Sequence, residues 1–186
     1  MRKILLLSLI ALLTLIGCSS KEYYTLGDTS SITLSSPKAC QQIIAVEKIE
    51  IPKYLKDNAI VKQVSPYQVI RLKKANWLTP MQKRLTNVLI NYLQRSLGNP
   101  NIYLYPWDST KDTNKKISVK ITRFIAYKNQ VILEASYQIK NLKTKKSRTK
   151  LFNTKVPTTD NTEKMMEAME VAYFELTEDI KNSIIK

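Results

Sequence analysis

ISVKITRFIAYKNQVILEASYQIKNLKTKKSRTKLFNTKVP, residues 117–157, is the stretch that decides the fold. Ile117, Val119 and Ile121 alternate with Ser118, Lys120 and Thr122, the period of a half-buried strand. Lys128-Asn129 makes a turn, and Val131 to Ile139 reads as the next strand. Lys143-Thr144-Lys145-Lys146 makes a second turn, and Lys150 to Val156 returns. Strands joined by such short turns pair as an antiparallel meander. Pro157 stops it, because proline has no N–H to give a ladder.

On both sides of the meander the apolar period changes from two to helical. Downstream, Met165, Met166, Met169, Tyr173, Leu176, Ile180 and Ile184 recur at helical spacing. Asp160 is read as the cap of that helix, with Glu163 three residues later in a capping-box pattern. Upstream, Met81, Leu85, Val88, Leu89, Tyr92 and Leu93 form one stripe, with Lys83 and Arg84 off it. Thr79 is read as the cap there, Pro80 as the first turn, and Gly98 as the stop.

The remaining elements fit around these. Lys21 to Leu26 is an aromatic, β-favouring run and predicts a short strand joining the sheet. Residues 27–41 read as a loop. Ile43 to Ile51 predicts a buried strand ended by Pro52, and Pro52 to Asp57 predicts a single helical turn. Ala59 to Val64 and Tyr67 to Leu72 predict a hairpin around Ser65-Pro66, and Asn101 to Tyr105 a further strand. Strand, helix and strand in that order suggest a parallel crossover with a hairpin inserted. The expected fold is α/β: a single mixed β-sheet with an antiparallel meander, covered by two long amphipathic helices.

The N-terminus has its own grammar. Arg2 and Lys3 precede Ile4 to Ile16, an apolar core broken only by Ser8 and Thr14. It is shorter than a membrane span and suits a signal-peptide core. It ends in Leu15-Ile16-Gly17-Cys18, which looks like a bacterial lipobox. Gly17 gives the peptidase access to the backbone, and the Cys18 thiol accepts a diacylglyceryl group. Residues 1–17 are expected to be a lipoprotein signal peptide, 18–41 a lipidated N-terminus with short strand and linker, and 42–186 an α/β domain. Ser19, not Asp, follows the cysteine, which points to the outer membrane, palmitoylated and facing the periplasm, with the inner membrane as the alternative. Two or more acyl chains hold a protein firmly, where one binds marginally.

Composition narrows the chemistry. The 186 residues carry 30 Lys+Arg against 15 Asp+Glu, a net charge of +15, with no His. Cleavage before Cys18 removes Arg2 and Lys3 and leaves +13. Without His there is no Ser-His-Asp or Cys-His catalysis and no H-E-x-x-H zinc site. Two cysteines are too few for a Cys-rich zinc site, and Cys40 has no partner for an intramolecular disulfide once Cys18 is acylated. Three glycines leave no phosphate loop. No cofactor, no metal and no enzyme is expected. An exported protein meets no chromosomal DNA, so the charge points to lipid headgroups, acidic polymers or acidic protein surfaces rather than nucleic acid.

Four features remain to be weighed. Lys143, Lys145, Lys146 and Arg148, with Lys150, form the densest basic cluster, at a predicted hairpin tip. It reads either as a solvated turn that keeps an edge soluble or as a contact for anionic lipid or an acidic partner. Arg71, Lys73 and Lys74 form a second basic group before Trp77, itself read as a packing anchor under the first helix. The last helix carries Glu163, Glu167, Glu170, Glu175, Glu178 and Asp179, mostly off the apolar stripe and read as a solvated face. Met165, Met166 and Met169 read as core, or alternatively as an adaptable apolar surface.

Several residues together resemble one family, the ABC-type transport auxiliary lipoproteins of the PqiC/YmbA type. These are the lipobox at Cys18, Tyr23-Tyr24-Thr25-Leu26, Ile49-Glu50-Ile51-Pro52-Lys53-Tyr54-Leu55 followed by Ala59-Ile60-Val61, and Asn76-Trp77-Leu78 with Pro80. The resemblance covers nearly the whole mature chain. The family often has an Arg where Asp57 or Asn58 stands, and an Ala-Glu pair where Leu78-Thr79 stands. The signature positions Tyr23, Tyr24, Pro52, Tyr54, Leu55 and Trp77 are read as structural first, with a partner-facing role as the alternative.

The resemblance implies a non-enzymatic, lipid-anchored periplasmic subunit of an MCE/ABC-type intermembrane lipid transport system. Its partners would be an MCE-domain protein and inner-membrane transporter components, and its task to dock or stabilise the MCE conduit at the outer membrane. A ring-like partner would favour a homo-oligomer. Two alternatives stay open: a shuttle or chaperone that binds phospholipid itself, with the Met-rich helix lining an apolar cavity, and a structural envelope lipoprotein held to acidic surfaces by charge.

Overall fold

The computed structural model describes residues 20–36, 42–106 and 113–185. Cys18 and Cys40 lie outside them. Eight strands form one mixed sheet: β1 Glu22–Tyr24, β2 Ile44–Val46, β3 Ala59–Ser65, β4 Gln68–Trp77, β5 Ile102–Leu104, β6 Lys115–Tyr127, β7 Gln130–Asn141 and β8 Ser147–Pro157. Two helices, α1 Met81–Leu97 and α2 Thr162–Ile185, and a 3-10 turn at Lys53–Leu55 complete it. The expected fold class holds.

β6 is the spine. One edge pairs antiparallel with β7 over its whole length, and β7 pairs with β8. The other edge is shared. The start of β6 pairs parallel with β2, which pairs parallel with β5; the end of β6 pairs parallel with β3 at Lys62 and Gln63. β4 follows antiparallel to β3, and β1 lies parallel on β4. The β2–α1–β5 connection is thus the parallel crossover, with the β3–β4 hairpin inserted.

The helix side of the sheet carries the core. Val131, Leu133, Ala135, Tyr137 and Ile139 of β7 are buried on the face where α2 lies. The methionines Met165, Met166 and Met169 are buried in the same core as the α1 stripe. Tyr173 of α2 is fully buried and its hydroxyl donates to the Leu85 carbonyl of α1 at 2.6 Å, so each helix satisfies the other. Tyr92 and Phe174 bring their rings to 5.7 Å across the same interface.

Three local expectations change. Asp160 does not cap α2; the Asn161 side chain accepts the Lys164 N–H at 3.0 Å, while Asp160 is drawn into an ion pair with Lys62 at 2.7 Å. Thr79 does not cap α1, which begins after an extended Pro80 with no side-chain cap. The Ile43–Ile51 run is not one continuous strand. Ile44–Val46 is laddered, and the chain then touches β6 again through a single bridge from Glu50 to Lys120. Ile49 and Ile51 are buried by packing, which apolar content alone does not separate from ladder pairing. Among the described residues, no helix is long and apolar enough to cross a membrane.

Candidate functional site

The segment that follows the expected lipidation site is woven into the fold. β1 runs parallel to β4 with Glu22 opposite Ala75, Tyr23 opposite Asn76 and Tyr24 opposite Trp77. Tyr23 is exposed, and Tyr24 is half-buried with its hydroxyl donating to Glu22 at 2.8 Å. That bond, with burial, holds the Tyr24 phenol above its usual range. Leu26 is in the core. Gly27 then turns at φ +80, where an added Cβ would stand 2.4 Å from Val88 of α1.

The next residues run along α1 as a strap. The Arg84 guanidinium donates to the Leu26 and Gly27 carbonyls, and the Arg95 guanidinium to the Ser30 and Ile32 carbonyls. Ser35 donates its N–H to the Arg95 carbonyl and its hydroxyl to the Ser96 carbonyl, beside the left-handed Gly98 that ends α1. Arg84 and Arg95 are three helical turns apart and so share a face. Sequence reading placed Arg84 off the apolar stripe and missed this use; their spacing opposite a polar loop was the available signal.

The signature around Pro52 repairs the shared edge of β6. Between the β2 and β3 pairings this edge has no strand of its own. Glu50 fills part of the gap, accepting from Ile121 N–H and donating to the Val119 carbonyl. Tyr54 fills the rest: its hydroxyl accepts the Phe124 backbone N–H at 2.9 Å. Burial pushes the Tyr54 phenol up. Pro52 opens the 3-10 turn in an extended conformation, and Leu55 is buried at its end. Trp77 is 3% exposed in the common core, and its indole N–H meets no acceptor there. These residues occupy structural places.

The basic hairpin tip is built differently. Asn141 accepts the N–H groups of Lys143 and Thr144 with one side-chain oxygen, each at 3.0 Å, and Lys145 takes a left-handed φ of 60°. Lys143, Lys145, Lys146 and Arg148 are exposed, and none is in an ion pair among the described residues. Lys150 does not share this freedom; it pairs with Asp179 of α2 at 2.5 Å.

The second basic group lies at the other end of the sheet. β3 leaves β6 after Gln63, so residues 64–68 project beyond β6 as the free end of the two-stranded β3–β4 arm. Between Ala59–Asn76 and Val61–Arg71 the register slips, with Lys74 at φ 66° in the bulge. The arm exposes Val64, Tyr67, Val69 and Ile70, Tyr67 to 99%. Arg71 pairs with Asp57 at 3.1 Å, while Lys73 and Lys74 are in no ion pair among the described residues. Sequence reading found a hairpin here but not its exposure, since nothing local says that no element covers it.

Among the described residues, no three His, Cys, Asp or Glu side chains gather where a metal could sit. The acidic groups of α2 serve as partners: Glu170 accepts Asp28 N–H, Glu175 bonds Thr154 and Glu178 pairs with Lys181. An open groove of about 310 Å³ lies on the far face of the sheet, lined by Thr122, Ile132, Leu151 and Phe152.

The chain matches the ABC-type transport auxiliary lipoprotein component family over residues 24–181. It is 31% identical over 133 residues to the intermembrane transport lipoprotein PqiC of Escherichia coli K12, covering 69% of this chain and 70% of that one. The PqiC of Shigella flexneri matches to the same extent. These relatives carry the names of transport lipoproteins, not of enzymes. Among solved structures, an uncharacterised protein superposes with a TM-score of 0.73 at 19% identity, covering 89% of this chain and 99% of the other. A protein from Xanthomonas campestris gives 0.67 at 13% identity, covering 86% and 92%. These two likenesses concern the fold alone.

Proposed function

The chain belongs to the ABC-type transport auxiliary lipoprotein family, and from that premise we propose that it is a non-enzymatic, lipid-anchored periplasmic subunit of an intermembrane lipid transport system. Its Cys18 carries the acyl chains, at the outer membrane, and its folded domain docks or stabilises the MCE-domain protein that forms the conduit. The transporter components of the inner membrane complete the assembly, and a ring-like partner favours several copies of this chain.

One observation supports the docking role above the others. The N-terminal strand lies on β4 towards the Tyr127 end of β6, whereas the Lys143–Arg148 tip lies beyond its Lys115 end. β7 has 12 residues, and at about 3.3 Å per residue its ends are some 40 Å apart. A tether at one end therefore presents four unpaired cations at the other, away from the anchoring surface. The shuttle reading needed the methionines to line a cavity, and all three are packed in the core.

The test is affinity purification of the full chain from gently solubilised membranes, at low and moderate salt, with mass spectrometry of proteins and lipids. Recovery of an MCE-domain protein with transporter subunits at both salts is expected. Abundant bound lipid without a specific protein would transfer the role to a shuttle. Salt-sensitive capture of acidic polymers alone would make it a structural envelope lipoprotein.

A further inference from the structure

We propose that the β3–β4 arm is a membrane-contact finger, whose Tyr67, Val69 and Ile70 enter the interfacial layer of an anionic phospholipid surface while Lys73 and Lys74 meet its headgroups. This rests on Cys18 being the anchor. Three observations carry it. First, the arm exposes apolar side chains that folding does not use. A two-stranded hairpin with no covering element is marginal in water. Val64, Tyr67, Val69 and Ile70 are exposed on it, Val69 and Ile70 on opposite faces, so apolar side chains stand on both sides of the finger. Tyrosine beside aliphatic residues suits a boundary where one end is apolar and the other wet.

Second, the tether leads there. β1 is parallel to β4 and Glu22 faces Ala75, so the chain before Glu22 continues towards the arm. Extending the register sets Ser20 and Lys21 level with Lys73 and Lys74. Cys18 is four residues before Glu22 and so within about 14 Å of it along the chain. An acyl group at Cys18 thus keeps a bilayer within that reach of Glu22, on the edge of the sheet that carries the arm.

Third, the charge is complementary to lipid and not to a second arm. Lys73 and Lys74 stand without a carboxylate partner among the described residues, on a bulge that pushes them off the ladder. Two of the acids on this side have cations of their own, Asp57 with Arg71 and Asp160 with Lys62, while Glu22 accepts the Tyr24 hydroxyl. Two copies meeting arm to arm would oppose like charges, whereas anionic headgroups attract them.

The experiment reconstitutes the full mature chain, acylated at Cys18 and carrying Cys40→Ser, into vesicles of phosphatidylethanolamine and phosphatidylglycerol. An environment-sensitive dye is placed at Tyr67→Cys and, in a second sample, at Lys145→Cys. The dye at position 67 is expected to shift to the blue and to be quenched by a spin label in the lipid, and the dye at 145 to do neither. A water-like dye at 67 overturns the proposal, as does a blue shift without lipid quenching, which would assign the arm to a protein neighbour. The mature chain with Cys18→Ser is then sedimented with the same vesicles. Lys73→Glu with Lys74→Glu should lower its partition roughly 30-fold, about fivefold per lysine. An unchanged partition overturns the finger while leaving the anchor standing. Absence of acyl chains on wild-type Cys18 by mass spectrometry removes the anchor, and the sedimentation arm still decides the finger.

Discussion

Two hairpins of this sheet share a plan and differ in everything that follows from cover. β7–β8 pairs in unbroken register from Gln130–Pro157 to Lys140–Ser147, with β6 beside it and α2 above it. Its inward apolar residues are buried; its outward face is open along β8, where Leu151 is 81% exposed, and its tip shows Lys143, Lys145, Lys146 and Arg148. β3–β4 leaves the sheet early, slips register twice and shows solvent Val64, Val69 and Ile70, with Tyr67 at its tip. The covered hairpin puts its apolar residues into the core, Leu151 excepted, and its charges on the outward face and tip. An uncovered one keeps apolar residues that the fold has no use for, and that surplus marks a surface with another purpose. The two hairpin ends are thus chemically distinct, one basic and apolar on the side of β1 and the proposed anchor, the other basic alone.

The strongest way to break this polarity is to remove the tether. Cys18→Ala should shift the protein from the membrane pellet to the soluble fraction, with a loss of roughly 100-fold or more in membrane retention, because a multiply acylated protein is held firmly. Quantitative fractionation with immunoblotting reads it. Retention unchanged in the variant would show that the folded surface alone suffices.

A smaller effect is expected at the splice that supports the uncovered hairpin. Tyr54→Phe deletes the acceptor of the Phe124 N–H without changing the ring. Leaving a buried donor unpaired costs about 1–3 kcal/mol. Urea unfolding should show that loss. Amide exchange should show lower protection at Phe124 and along β3–β4, with β7–β8 unaffected. Equal loss of protection in both hairpins would mean that the two ends unfold as one unit.

What the sequence made legible follows the same division. Wherever apolar residues recur with one period and end in the core, the element is readable: the meander, both helix stripes and Gly98 as the stop of α1 all stand where their patterns put them. Competition between neighbours is not readable. Asp160 and Asn161 are both good caps, and Lys62, 98 residues away, decides between them by taking Asp160. Nor does the Ile43–Ile51 run reveal that its second half is buried by packing and touches β6 once. The surface sites divide likewise. The basic tip was visible as a run of charges at a turn. The exposed arm was not, because exposure of Tyr67 and Val69 depends on β6 ending at Tyr127.

Charge reversal sharpens the contrast at the far end. Lys143→Glu with Lys145→Glu and Lys146→Glu should leave stability within about 0.5 kcal/mol, since these side chains are exposed and unpaired. Recovery of the proposed protein partner at moderate salt should fall about tenfold, as for an interface steered by complementary charge. Co-purification with a labelled reference protein reads the second, and a urea melt the first. Recovery unchanged would move the docking surface elsewhere on the fold.

The smallest expected effect concerns the tie between β2 and the start of β6, at the basic end. Glu47 reaches Lys116 at 2.7 Å and also accepts from the Ser118 hydroxyl. Burial alone would raise its pKa; the hydrogen bonds from Lys116 and Ser118 and the Lys116 charge outweigh that and hold it below the usual glutamate value. A lowered carboxylate pKa gives stability that is present above the unfolded value, near 4.5, and is lost as pH falls through the folded one. Glu178 acts in the same direction against burial, held down by Lys181 and Tyr92. Glu47→Gln removes the ionised partner, so the gap between variant and wild type should be under about 1 kcal/mol at pH 6, screened as for a pair near the surface. That gap should narrow towards pH 3, as the wild-type carboxylate takes up its proton. Urea midpoints at the two pH values measure it. A gap that persists at pH 3 would assign the role of Glu47 to hydrogen-bond geometry rather than charge, and acid would then not loosen β2 from the basic end.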